Sequence, residues 1–464
     1  MGSVLLFALL LGLLCASYVL FDRRIDSPAF VFVLFFALSI GSGLLNYVPY
    51  EFDLHPNTVG LIGGGAAIFV AVAWSVRLVW RKRIAAATID GAQGDADDDP
   101  LIAEPLHVPV VFYVLGLLLA CGTAWVMLKS YTELSIAHGG PTDLLGVMRE
   151  YDKLAKFSDV DVSIRGIPGH IIAIGDGAYY IWAYLFAQNL NARRRTINWS
   201  ALLIMVVTMA YTLLSGERNG IILRLLAFAF MYLNFWYRRR RTTGRPNVRV
   251  FAAIAIVIVV GMLAFRPMLA LMGRGYDNKY SLSEYVSRYL GAPVKNLDMY
   301  LNDELPHPIT VKSERWGEQT FAVAYASLDH WAGHDARKKW NDWQPFQELN
   351  GRKLGNVYTI YYTFAFDWGY AGALVATAVL AALSELCFLL SCTRRVLGNG
   401  AIKTSVLVYG IVGYGLCFCF FLNFVVKAVV NTGFVRMAAT WLLASFVLKF
   451  VNERLAAGAE RAED

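Results

Sequence analysis

Basic side chains interrupt apolar stretches of this chain at a few places, and their spacing suggests what they bind. The stretch LLSGERNGIILR, residues 213 to 224, sets Glu217, Arg218 and Asn219 between Gly216 and Gly220 and adds Arg224 further on. Glycine permits a sharp reversal and close approach of a ligand, and an arginine at the start of a helix stands beside free backbone amides, so a phosphate site is one reading. A surface turn whose arginine reaches lipid headgroups is the other. Lys427 and Arg436 bracket a second turn, NFVVKAVVNTGFVR, residues 423 to 436. Arg288 lies in a stretch of helix-like spacing, where a solvated charge is the plain alternative, and Arg266 and Arg274 flank the end of another apolar run. A guanidinium grips phosphate oxygens through a fork of charge-assisted hydrogen bonds, so such a cluster suits an oligophosphate. Glu217 adds an acid that can take a hydroxyl proton, provided the neighbouring arginine leaves it ionised.

Aromatic residues supply a second theme. Residues 357 to 374 read VYTIYYTFAFDWGYAGAL, with Tyr361, Asp367 and Trp368 just ahead of a small-residue segment. Sugar rings stack on aromatics through their C–H faces, which makes the run a candidate glycan surface; an interfacial aromatic belt is the alternative. Metal chemistry finds little footing. Asp95 and Asp97 fall in a low-complexity acidic stretch, Asp159 and Asp161 form only a weak pair, and the His330 to His334 stretch, HWAGH, lacks the glutamate of a zinc hydrolase. No metal and no cofactor is expected.

The elements that must position these groups follow from composition. Of the 464 residues 57% are hydrophobic and 17% charged, and the mean hydropathy is +0.47. Apolar runs reach the roughly 20 residues that a bilayer core requires of a helix, so the fold class is an all-α polytopic membrane protein, and a nucleic-acid partner is excluded. Eleven spans are expected, near 2 to 20, 28 to 47, 58 to 76, 106 to 128, 168 to 190, 198 to 214, 221 to 236, 250 to 266, 370 to 391, 404 to 424 and 432 to 448. Alternating connections then place 21 of the 42 basic residues on one side, which the positive-inside rule makes cytoplasmic. The N-terminus is therefore expected outside and the C-terminus inside. Three regions result: 1 to 266 with helices 1 to 8, a linker at 81 to 105 and an external loop at 129 to 167; an external cap at 267 to 369; and 370 to 464 with the last three helices and a tail. Within 267 to 356 eleven basic residues balance eleven acidic ones among many Trp and Tyr, so the cap should be folded and mostly helical, lying on the membrane.

Taken together, three motifs resemble a family. A turn like GGTRANI at SGERNGI, a segment like YLTRD at Tyr285 to Tyr289, and two basic residues nine apart at Lys427 and Arg436 occur in the same order, around a large late loop. The layout resembles the O-antigen and related oligosaccharide repeat-unit polymerases of the Wzy type, and is most similar to the enterobacterial-common-antigen polymerase branch. The likeness covers about residues 200 to 450. Lys427 stands where the relative has Arg, Glu217 where it has Thr, and no histidine precedes the YTIYY segment. The resemblance implies a multi-pass glycosyltransferase of the bacterial cytoplasmic (inner) membrane. It would move a growing glycan from undecaprenyl pyrophosphate to the terminal sugar of an incoming lipid-linked repeat, in the setting of lipopolysaccharide or related polysaccharide biosynthesis. Arg218, Arg288, Arg436 and Glu217 would be catalytic; Lys427, Arg224, Arg266, Arg274, Tyr361, Asp367 and Trp368 would bind substrate. Its partners would be lipid-linked oligosaccharide donor and acceptor, membrane lipids, a chain-length regulator and a flippase. An O-antigen ligase uses the same donor with a different acceptor and stays open, as does a transporter or flippase of lipid-linked sugars.

Overall fold

The computed structural model describes residues 1–89, 105–106, 108–158, 162, 164, 166–192, 194, 196–215, 219–239, 282–332, 343–393 and 401–463. Its helices are α1 (Gly2–Leu20), α2 (Pro28–Leu45), α3 (Pro56–Ile89), α4 (Val110–Ala137), α5 (Leu144–Phe157), α6 (Gly166–Asn191), α7 (Trp199–Tyr211), α8 (Asn219–Arg239), α9 (Leu282–Leu290), α10 (Ala292–Leu301), α11 (Ala322–Trp331), α12 (Thr359–Cys392), α13 (Thr404–Cys417), α14 (Phe424–Val429) and α15 (Thr432–Glu463). Among the described residues the only strands are β1 (Gln347–Leu349) and β2 (Arg352–Gly355), an antiparallel pair. Among the described residues seven helices, namely α1, α2, α3, α4, α8, α12 and α15, are long and apolar enough to cross a membrane, and α7 and α13 are shorter apolar helices. The protein is thus an all-α polytopic membrane protein, since in hydrocarbon a helix is what satisfies each backbone amide within its own segment.

Local sequence sets many of the helix starts. Pro28 opens α2, where its missing N–H costs nothing. The side chains of Asp143, Asn198 and Asn423 accept backbone amides at the starts of α5, α7 and α14. Packing then sorts the helices into two large cores. In the first, α1, α2, α3 and α12 close around Phe32, Phe69 and Tyr361, with Phe32 and Phe69 stacked at 4.2 Å. In the second, α4, α6, α7, α8, α13 and α15 close around Tyr179, Tyr184, Phe235 and Trp441. Residues of α8 and α13 belong to both, so these two helices join the halves: Phe230 and Tyr409 face one core, Met231 and Ile411 the other.

Several expected boundaries move. The span anticipated at 404 to 424 stops at Cys417, and the carbonyls of Cys419 and Phe421 instead accept the amides of Ile360 and Thr359 at the start of α12. Backbone may leave the helix at this depth because protein, not lipid, surrounds it. The aromatic run that looked interfacial is the first part of α12, which runs from Thr359 through a non-helical Gly369 (φ 68°) to Cys392. Glycine alone takes that conformation without a Cβ clash. Helix α3 continues to Ile89, past the start assigned to the linker at 81. The span at 250 to 266, and cap residues 267 to 281 and 333 to 342, lie outside the described residues.

Part of the 267 to 369 segment packs directly on the bundle. Helices α9 and α10 dock on the ends of α2 and α3, and Ala292 to Met299 are buried without interruption. Ser287 lies in a buried hydrogen-bond set with Ser42 (3.0 Å) and Asn46 (2.5 Å), while Ser39 donates to the Leu290 carbonyl. Contact is close here because Gly291 meets Gly43: a Cβ on Gly291 would stand 2.9 Å from the Gly43 Cα.

The opposite end of the bundle is basic and heavily paired. Arg77 donates to Glu385 (2.7 Å) and Asp22 (3.2 Å), Arg81 to Asp22 (2.6 Å), and Arg24 to Asp26 (2.9 Å and 2.6 Å). Arg238 donates to Asn234 and to the Ser391 and Thr393 carbonyls, Arg239 to the Ala192 carbonyl, and Lys403 to Thr393. Burial removes water from all of these cations except the exposed Arg81, so each takes an anion or a carbonyl in its place.

Candidate functional site at the cap end of the bundle

Arg224 is a buried charge at the cap end. It lies in the second turn of α8 with only 7% of its side chain exposed. One Nη donates to Asp176 Oδ1 on α6 and the other to the Thr208 carbonyl on α7. That carbonyl is available because α7 tightens at its end: the Thr212 amide turns to Met209 and Ala210 and leaves Thr208 without its usual helical partner. The guanidinium carbon stands 5.0 Å from the Tyr211 ring centre and 5.3 Å from that of Tyr179. Tyr211 donates its own hydroxyl to Asp176 Oδ1 at 3.0 Å. Three helices are therefore tied through one carboxylate oxygen. Arg224 has both branches of its fork engaged within the protein, which speaks for positioning rather than direct phosphate binding.

Arg436 and Lys427 share this end. Arg436 lies in the second turn of α15, half-buried, and its guanidinium makes no hydrogen bond or ion pair within the described residues. The next residue, Met437, packs on Gly177 of α6, and Trp441 donates its indole N–H to the Gly177 carbonyl at 2.9 Å. Arg436 thus rises from the turn of α15 that meets α6 beside Asp176. Lys427 is exposed on α14, its ammonium 5.9 Å from the Phe424 ring centre. The neighbouring Ala428 and Val429 pack on the second core, as do Leu223 and Leu226 beside Arg224. The structure therefore brings Arg224, Lys427 and Arg436 to one end of one core.

Arg288 joins that end from the other half. It is in the last turn of α9, next to the buried Ser287 that docks on α2. It too is half-buried, and its guanidinium makes no hydrogen bond or ion pair within the described residues. Every other described arginine that is buried or half-buried, at positions 24, 77, 224, 238, 239 and 352, donates to a carboxylate or a carbonyl. Arg218, Glu217, Arg266 and Arg274 lie outside the described residues.

The aromatic run has a different place from the one its composition suggests. Tyr361 is fully enclosed between Phe32 and Phe36, and its hydroxyl finds no hydrogen-bond partner among the described residues. It is a core residue with no face open to a sugar. Asp367 accepts from the Ser313 hydroxyl (2.8 Å) and from the amides of Gln319 (3.2 Å) and Thr320 (2.7 Å), so it anchors the loop before α11. Trp368 packs on Trp316, Phe321 and Phe364. Of that group Trp316 is 71% exposed and is the aromatic open to solvent. On α10, Tyr300 lies edge-on to Tyr362, and its phenol is pushed up to about 12, chiefly by burial and then by the Asp303 and Asp367 carboxylates.

Asp176 is the functional candidate that the sequence reading passed over. The signal was present: an aspartate inside the apolar run 168 to 190 is as costly in hydrocarbon as an arginine. Compared with known protein families, with curated proteins and with solved structures, the chain shows no match.

Proposed function

We propose that this protein is a glycosyltransferase that polymerises lipid-linked oligosaccharide repeat units at the outer face of a bacterial cytoplasmic membrane. The observation that carries the reading is the pair of half-buried arginines, Arg288 and Arg436, both at the cap end and without a counter-charge among the described residues. A half-buried guanidinium is poorly hydrated and needs an anion, and a polyprenyl pyrophosphate offers one at the membrane surface. In the transfer, the anomeric carbon gains positive character while the pyrophosphate departs with its negative charge. Fixed cations beside the leaving group therefore lower the barrier. Arg436 and Arg288 are assigned to that charge, with Lys427 and, from the sequence alone, Arg218. Trp316 and Trp368 are the aromatics assigned to the glycan. The basic, paired end would face the cytoplasm, in keeping with the positive-inside rule.

Deleting the gene and separating the surface polysaccharide by size tests the reading. The expected result is a ladder collapsed to single repeats, restored by the wild-type gene. Arg436→Ala should restore it poorly, because losing one such contact lowers a rate by about 10²- to 10³-fold, and Arg436→Lys should do little better because the fork is lost. Full-length polymer from Arg436→Ala at normal membrane levels would refute the assignment.

A further inference from the structure

Building on that reading, we infer that Asp176 is the general base of the transfer, taking the proton of the acceptor sugar hydroxyl through its Oδ2 oxygen. The geometry makes a one-sided carboxylate. Both donors in contact, the Arg224 guanidinium and the Tyr211 hydroxyl, use Oδ1. No hydrogen bond within the described residues reaches Oδ2. Two buried carboxylates here have both oxygens occupied. Asp26 takes Arg24 on both oxygens, and Asp298 takes Lys295 and His55 on one and Thr58 and the His55 amide on the other. Glu385 also leaves one oxygen unbonded, yet that oxygen is sealed, and the residue is 0% exposed.

Asp176 differs in access. Its side chain is 36% exposed, whereas Gly175 before it and Gly177 to Asn189 after it are buried. It therefore opens outward where the enclosed part of the helix begins, the preceding residues 166 to 174 being half-buried or exposed. Arg224 and Tyr211 hold it from one side, which fixes the direction in which Oδ2 points. On the α15 side stands the turn carrying Arg436, through the Met437 to Gly177 contact. A base and the cation assigned to the leaving group thus lie on neighbouring turns of two packed helices, as a displacement requires.

The step balances as follows. The acceptor O–H breaks and its proton passes to Asp176 Oδ2. The oxygen forms a bond to the donor's anomeric carbon, and that carbon's bond to the pyrophosphate oxygen breaks with the electron pair leaving on the polyprenyl pyrophosphate. Asp176 then returns its proton to water or to a phosphate oxygen. Arg224 touches no substrate in this scheme; it positions the base.

Purified wild-type and variant proteins in lipid vesicles, supplied with undecaprenyl-pyrophosphate-linked repeats extracted from the deletion strain, provide the test. Two readouts are taken, binding of that lipid and single-turnover chain extension. Asn at this position keeps an Oδ1 for Arg224 and Tyr211, so the helices should stay joined. Asp176→Asn is expected to bind the lipid within threefold of wild type and to extend it about 10²- to 10⁴-fold more slowly. Asp176→Glu should recover at least tenfold of that loss. Extension by Asp176→Asn within threefold of wild type would overturn the inference while leaving the polymerase reading intact. Loss of lipid binding in Asp176→Asn would also overturn it, since the residue would then build the site. Wild-type protein that neither binds nor extends the lipid would sink the polymerase reading, and this inference with it.

Discussion

Replacing Asp298 by alanine should undock the cap from the bundle, and the size of the effect follows from what the carboxylate holds. Asp298 is fully buried on α10 and accepts four hydrogen bonds: from the His55 amide (2.9 Å), His55 Nδ1 (3.1 Å), the Thr58 hydroxyl (2.7 Å) and the Lys295 ammonium (3.2 Å). Lys295 is itself only 7% exposed in its side chain. Removing one member of a buried pair costs about 3–5 kcal/mol, because the other charge stays behind without compensation. Thr58, fully buried, loses its acceptor as well, which adds about 1–3 kcal/mol if the hydroxyl finds no other. These terms overlap, so about 4 kcal/mol is expected, a factor of about 10³ in the population of undocked cap. Limited proteolysis of detergent-solubilised protein reads that population when reclosing is faster than cleavage. Asp298→Ala should raise the cleavage rate within residues 282 to 355 by about that factor, and Asp298→Asn by less, since an amide oxygen still serves Thr58. The double replacement Asp298→Leu with Lys295→Met removes both charges and should recover most of the loss. Cleavage of Asp298→Ala within threefold of wild type would refute the reasoning, as would a double variant no better than the single one.

Two further outcomes follow from the same physics. Arg77→Leu should destabilise the basic end by about 3–5 kcal/mol, because Glu385 is left buried without its partner. Adding Glu385→Gln should return much of that loss in thermal unfolding followed with a thiol-reactive dye, and no recovery would argue against a functional ion pair. Tyr300 carries a phenol raised from 10 to about 12, so the unfolded chain ionises it first; its stabilisation is full below pH 10 and declines as pH rises to 12. Tyr300→Phe should flatten part of that alkaline loss, and an unchanged profile would contradict the assignment.

What could be read from the residues alone was set by the solvent. Runs of about 20 apolar residues have few places to go but a bilayer, where a helix is forced by the backbone's need for internal hydrogen bonds. The all-helical membrane class and the grouping of basic residues at one end follow from that. Arg288, Lys427 and Arg436 were also visible as charges out of place. Partners were not visible, because a hydropathy pattern says that a face is apolar without saying which helix covers it. Tertiary contact decided that α13 breaks at Cys417 to cap α12, that Tyr361 is core, and that Arg224 is committed to Asp176, 48 positions earlier in the chain. It also left Arg288 and Arg436 without counter-charges among the described residues and turned one oxygen of Asp176 outward. Charge pairing depends on distance in space, and only the packing of α6, α7, α8 and α15 sets that distance.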